Sequence, residues 1–204
     1  AGYQQLESSL ARLQAENERL RARLHVTEWP AQLIATGRVI GSGGGPFLRS
    51  VLIDAGVRSG VHAETAAVDA KGVVGRVVTA GPISSRILLL TDINSKIPVR
   101  VARTGETAIL AGTNLDTPEI RFLPLNADVS IGDRVVTSGH GGVFPPGLLV
   151  GEVTYVDNDR VSIEPYADLG NLDFLTILEV PQSGMEPIQS DLAEEPALIV
   201  GEQE

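Results

Sequence analysis

Apolar residues recur along this chain with two different periods, and the change from one to the other falls at Pro30. Over residues 3–24 the spacing is that of a heptad. With position a at Tyr3, Leu10, Asn17 and Leu24, position d falls on Leu6, Leu13 and Leu20. Leu at d suits a parallel two-stranded coiled coil, and a lone Asn at a fixes register and favours a dimer at some cost in stability. Glu16 at g can pair with Arg21 at the following e of a partner chain. The pattern predicts a dimerisation helix over 1–29 with those seven residues along the seam; an amphipathic helix packed on its own domain is the alternative. Pro30 stops the helix, and Trp29 is expected to pack at the junction.

Beyond Pro30 the period falls to two. Short apolar runs alternate with turn formers at 33–40, 50–54, 65–68, 73–78, 86–90, 97–101, 108–110, 120–124, 134–137, 148–156, 161–164 and 175–180. A linker-like Gly41-Ser42-Gly43-Gly44-Gly45-Pro46 follows the first run. Spacing of this kind indicates an all-β sandwich or barrel, not βαβ units.

The runs also repeat. Asp54-Ala55-Gly56-Val57-Arg58-Ser59-Gly60 resembles Asn126-Ala127-Asp128-Val129-Ser130-Ile131-Gly132, and Gly72-Val73-Val74-Gly75-Arg76-Val77 resembles Gly147-Leu148-Leu149-Val150-Gly151-Glu152-Val153. Asp92 follows Gly75 by 17 residues, as Asp168 follows Gly151. Gly132 lies 72 residues after Gly60 but Gly151 lies 76 after Gly75, so the second copy is four residues longer between these points. The extra length is expected in the Thr137–Pro146 loop. Two related copies suggest two small β-barrels. The predicted fold is mainly β: a coiled-coil helix (1–29), a first six-stranded barrel (33–112), a second (113–181) and a tail (182–204), with exchange of strands between barrels left open.

The Thr137–Gly151 loop is the chain's most unusual stretch, with five glycines and two prolines in fifteen residues. Glycine supplies positive φ, and proline fixes φ and removes a donor, so this loop has a defined shape. Ser138, Gly139, His140, Gly141, Gly142, Phe144, Pro145 and Gly147 are its candidate interaction or structural residues. Phe144 is expected to pack the loop into a surface that sets how the barrels sit or what they touch.

Composition narrows the chemistry. Hydrophobic content is 43% but aromatics are only 4%, with 22 Gly and 12 Pro, which fits short strands and many turns. The net charge of −10 falls to −4 without the six acids after Pro181 (Glu186, Asp191, Glu194, Glu195, Glu202, Glu204), a stretch that holds no Lys or Arg. That acidic segment reads as a disordered tail or a short partner motif. Neither charge nor a basic patch points to nucleic acid. Absence of cysteine excludes disulfides, thiolate metal sites and thiol catalysis. No apolar run reaches the roughly 18 residues of a membrane span. The chain begins inside a helical repeat, as expected of a fragment whose missing N-terminal part could hold an anchor.

Two catalytic possibilities are weak. His62, Asp92 and Ser138 occur in the chain order of a double-barrel serine hydrolase, but Ser138 lacks that class's surrounding residues. His25, His62 and His140 are too dispersed for a metal site, and Asp157-Asn158-Asp159 fits a hairpin turn better than a calcium loop. No cofactor is expected.

Several motifs, taken in order, resemble the extracytoplasmic region of the MreC family of bacterial rod shape-determining proteins. They are Asp54–Val61, Gly72–Val77, Leu88-Leu89-Leu90-Thr91-Asp92, Gly132–Gly139, and Val143-Phe144-Pro145-Pro146-Gly147 through Val150-Gly151. The resemblance implies a bitopic inner-membrane protein on the periplasmic side, with two β-barrels after a dimerising helix. It implies no enzyme activity, but a homodimeric scaffold of the elongation (rod) complex, capable of higher-order self-association, that organises lateral peptidoglycan synthesis. Its implied partners are the elongation penicillin-binding transpeptidase, MreD and other rod-complex membrane proteins.

Overall fold

The computed structural model describes residues 31–43, 48–124, 126–157 and 160–180, so the expected coiled-coil helix, Trp29 included, and the acidic tail lie outside the described residues. Within them the chain forms strands β1 (Gln32–Gly43), β2 (Ser50–Ile53), β3 (Ala66–Val68), β4 (Val73–Ala80), β5 (Ser85–Leu89) and β6 (Lys96–Val101). β7 (Thr107–Ala111), β8 (Glu119–Arg121), β9 (Arg134–Thr137), β10 (Leu149–Asp157), β11 (Arg160–Pro165) and β12 (Phe174–Glu179) follow. Each expected run supplies one strand. The two-residue period is visible in burial: on β6, Ile97, Val99 and Val101 point inward, and on β11, Val161 and Ile163 do so. One expectation fails here. Gly41, Ser42 and Gly43 are not linker but continue β1, paired with Leu52, Val51 and Ser50. The Ser50 hydroxyl donates to the Gly43 carbonyl and helps hold that end.

The strands close into two antiparallel barrels, ordered β1-β12-β3-β4-β5-β2 and β10-β11-β8-β7-β6-β9. Closure leaves no free sheet edge. Strands β12, β1, β2, β3, β4 and β5 of the first barrel have the same neighbours as β6 to β11, in that order, of the second. The second barrel is thus continuous in sequence and inserted between the fifth and last strands of the first. This corrects the expected division after residue 112: β6 and β7 belong to the second barrel, and β12, far along the chain, closes the first.

The repeat has a steric cause. A Cβ on Gly75 would lie 1.9 Å from the Leu88 carbonyl oxygen, and one on Gly151 would lie 2.3 Å from that of Glu164. Both positions need a residue without a side chain because the neighbouring strand runs across them. Register keeps the added length in the expected loop but changes its size. Ala67 pairs with Gly75 and Val135 with Gly151, so the β9–β10 connection is eight residues longer than β3–β4, not four. The approach to β9 is four residues shorter. Backbone bonds put Gly132 in the place of Glu64, since they donate to the Val153 and Val77 carbonyls respectively, and both hold positive φ.

Ile53, Val74, Val77, Ile87, Leu175 and Ile177 form the first core. Ile97, Val99, Leu110, Val135, Val150, Val153 and Ile163 dominate the second, which Ala66, Val73 and Leu90 of the first barrel join. Leu169 packs on both. The barrels therefore share apolar contact.

Candidate interaction surface

The glycine-rich loop is anchored at both ends by Thr137. Its hydroxyl donates to the Pro145 carbonyl and accepts from the Leu148 N–H, and its backbone exchanges bonds with Leu148 and Gly147. Gly139, Gly141, Gly142 and Gly147 all have φ between 70° and 86°, which an L side chain rarely adopts. These turns let Phe144 reach back into the second core, where it is only 2% exposed. Pro145 is buried with it, while His140, Gly141 and Gly142 form an exposed tip. The loop is a plug of the second barrel with a solvent-facing crest.

No catalytic assembly forms among the described residues. The Ser138 hydroxyl meets Nδ1 of His140 at 3.0 Å, but the described structure gives that ring no orienting carboxylate. His62 pairs through Nε2 with Glu179 at 2.9 Å. Asp92 is fully buried and accepts from the Arg49 N–H and from the backbone and side-chain N–H groups of Asn94. The serine hydrolase alternative is therefore set aside: each proposed member is engaged elsewhere. Among the described residues no cluster of His, Asp and Glu is suited to a metal.

Asp92 instead organises a crossover between barrels. After β5 the Leu90 N–H donates to Val74, and after β11 the Tyr166 N–H donates to Val150. Ser95 and Asn171 then close turns onto the Asp92 and Asp168 carbonyls. The two passages between barrels are thus equivalent points of the repeat. Arg49 adds a bridge, its guanidinium 2.6 Å from Asp116 on the β7–β8 connection.

A second polar cluster braces the far end of the second barrel. Arg103 forks onto both oxygens of Asp133, reaches Asp128, and donates to the Asp128 carbonyl. Hydrogen bonding from Arg103 holds the Asp133 carboxyl below its ordinary value, outweighing the upward push of desolvation; the Ser130 N–H helps. Asp128 is lowered by the same guanidinium. A carboxylate depressed in the folded state contributes stability above its unfolded value of 3.8 and loses it as pH falls through the folded value. Arg103→Ala is expected to move the acid-unfolding midpoint to higher pH, read by circular dichroism along an acid titration, with little change near neutrality in the shape of the unfolding transition.

The exposed apolar residues are where a partner could bind. Phe122 is 82% exposed and sits at φ 61°. A bulky residue there is strained, which points from conformation toward a function. β8 ends at Arg121, three residues before the expected run does, and sequence carries no sign of this turn. Around it Arg121 and Arg160 both reach Glu119, at 2.9 and 3.4 Å. With Leu123, Asp157 and Val161 these residues line a hollow of about 500 Å³. Tyr155, 49% exposed, stands on the adjoining β10–β11 hairpin.

Residues 39–179 match the family model described as rod shape-determining protein MreC, barrel core. The cell shape-determining protein MreC of Cereibacter sphaeroides is 42% identical over 91% of this chain and 62% of its own length. That of Caulobacter vibrioides is 39% identical over 81% of this chain and 48% of its own. The chain thus spans about half to three-fifths of these relatives. The solved MreC of Listeria monocytogenes superposes with a TM-score of 0.75 at 30% identity, covering 86% of this chain and 90% of that one. A structure of the major periplasmic domain of the cell shape-determining filament MreC has a TM-score of 0.64 at 27% identity, over 71% and 96%. The complex between penicillin-binding protein PBP2 and MreC from Helicobacter pylori shares the fold, with a TM-score of 0.56 at 19% identity over 72% and 98%.

Proposed function

The chain belongs to the MreC family of non-catalytic, cell shape-determining proteins, and on that premise we propose that it is the periplasmic part of a homodimeric scaffold of the elongation complex. It organises lateral peptidoglycan synthesis by holding the elongation penicillin-binding transpeptidase. A segment N-terminal to this sequence anchors it in the inner membrane, beside MreD and other rod-complex proteins. The family match across both barrels carries this reading; the PBP2 complex of the Helicobacter pylori relative supports the choice of partner. The heptad over 3–24 supports dimerisation.

The test is surface binding of the dimeric protein to the transpeptidase ectodomain. Saturable binding at micromolar concentration is expected, and its absence there overturns the assignment. Phe122 is the proposed anchor on this chain. Phe122→Gly relieves left-handed strain of about 1 kcal/mol and forfeits little burial, so the variant unfolds at equal or higher temperature. Its transpeptidase affinity falls at least about tenfold, as for loss of an aromatic anchor. Unchanged affinity moves the contact off this face. Replacing Leu13 and Leu20 by Ala is expected to shift sedimentation toward monomer, at about 2–5 kcal/mol per buried Leu. A persistent dimer would place the interface on the barrels.

A further inference from the structure

Where the barrels meet, a second groove of about 570 Å³ runs between the β3–β4 turn and the outer face of β9 and β10. Ala70, Leu149 and Tyr166 give it apolar walls, and Lys71, Arg134 and Glu152 are its charged residues. Leu149 is 44% exposed although it begins a core strand. Lys71 and Arg134, like Arg38, Arg58, Arg86, Lys96 and Arg100, form no ion pair with a described residue, but only these two line a groove with apolar walls. On the other side of Lys71, Asp116, Glu164 and Asp168 line the adjoining cleft. With Lys71 and Arg134 against the single acid Glu152, the Arg134 side carries a net positive charge and favours an anionic, partly apolar segment, whereas the other side repels one.

The chain itself holds such a segment. Glu194-Glu195-Pro196 precedes Ala197-Leu198-Ile199-Val200, the apolar patch of a stretch with no Lys or Arg. We propose that this C-terminal segment docks in cis into the inter-barrel groove, its apolar run against Leu149, Ala70 and Tyr166 and its acids facing Arg134 and Lys71. Geometry permits it. Thr176 of β12 pairs with Val68 of β3, so Val180 and Lys71 lie on opposite sides of that register. At about 3.3 Å per residue the two are roughly 20–25 Å apart. Fourteen residues separate Val180 from Glu194. A random coil of that many residues would have a root-mean-square span of about 20 Å, which matches the distance and would give a high effective concentration. A weak contact is then enough to keep the groove occupied.

Because the chain has no cysteine, Ala197→Cys places a single nitroxide label. In the full chain, the amides of Ala70, Lys71, Leu149 and Glu152 are expected to lose most of their intensity to paramagnetic broadening, and to regain it at high salt. Arg134→Glu and Lys71→Glu, each on the labelled chain, should abolish the effect while leaving the remaining amide spectrum unchanged. Broadening that appears between labelled and isotopically enriched copies in a mixed sample assigns the groove to a second copy and overturns docking in cis. Broadening centred on Phe122, or none, overturns the site. Transpeptidase binding is measured separately, so neither result depends on the other.

Discussion

Phe144→Ala is expected to cost this protein about 3–5 kcal/mol of unfolding free energy. For a domain of this size that corresponds to a fall in melting temperature on the order of 10 °C. The side chain is among the largest of the fully enclosed ones and packs with Ile97, Leu110, Val135 and Ile163 inside the second barrel. Collapse of the cavity is the usual way to soften such a loss. Here the loop cannot follow, because Thr137 clamps both its ends and four left-handed glycines fix its path. A cost at the upper end of the range follows. Phe144→Leu, which keeps most of the volume, should recover more than half. A loss below about 1 kcal/mol for the alanine variant would mean that the loop is a surface appendage and not a plug.

The second large effect is expected at Asp92. Its carboxylate is fully buried and takes three N–H donors at 2.7 to 3.0 Å. Asp92→Ala strands those donors at the crossover, at about 3 kcal/mol, since bonds to a charged acceptor are worth about 1.5–3 and unsatisfied buried groups carry a further penalty. Asp92→Asn retains an acceptor but sets its own N–H₂ against donors, so it should fall between wild type and alanine. Hydrogen exchange gives the readout specific to this cause. The amides of Arg49 and Asn94 lose protection well before the rest of the sheet; uniform loss across both barrels would indicate a general packing defect instead.

The strands were legible because each obeys a two-residue period that local sequence displays, as at Ile97-Pro98-Val99-Arg100-Val101. Pairing was not, since it joins residues with no local relation: β12 meets β1 with Leu178 opposite Leu33, across nearly the whole chain. The repeat was read correctly from Gly75 and Gly151, where a carbonyl leaves no room for a side chain. Its length difference falls in the expected connection but is eight residues, not four, because that insertion and a four-residue deletion before β9 partly cancel. Gly41–Gly43 looked like linker by composition, but pairing with β2 outweighs the low strand preference of glycine. At the candidate surface, the shape of the glycine loop was foreseeable and Phe122 was not. An apolar residue within Ile120-Arg121-Phe122-Leu123-Pro124 reads as strand until its backbone turns left-handed. Asp92 stands out in sequence as a motif residue, but its role depends on Arg49, 43 positions earlier.

The insertion of one barrel within the other also orders events in time. As the chain emerges from its N-terminal end, β1 to β5 come out first and cannot close, because the strand that joins β1 to β3 is Phe174–Glu179. The second barrel, complete once Pro165 has appeared, can form while the first still exposes two unpaired edges. At about 5–20 residues per second the interval between the end of β5 and the arrival of β12 lasts roughly 4–17 s. For that time the half-built sheet is a nascent chain's most adhesive surface, and the last strand to be made is the one that seals it.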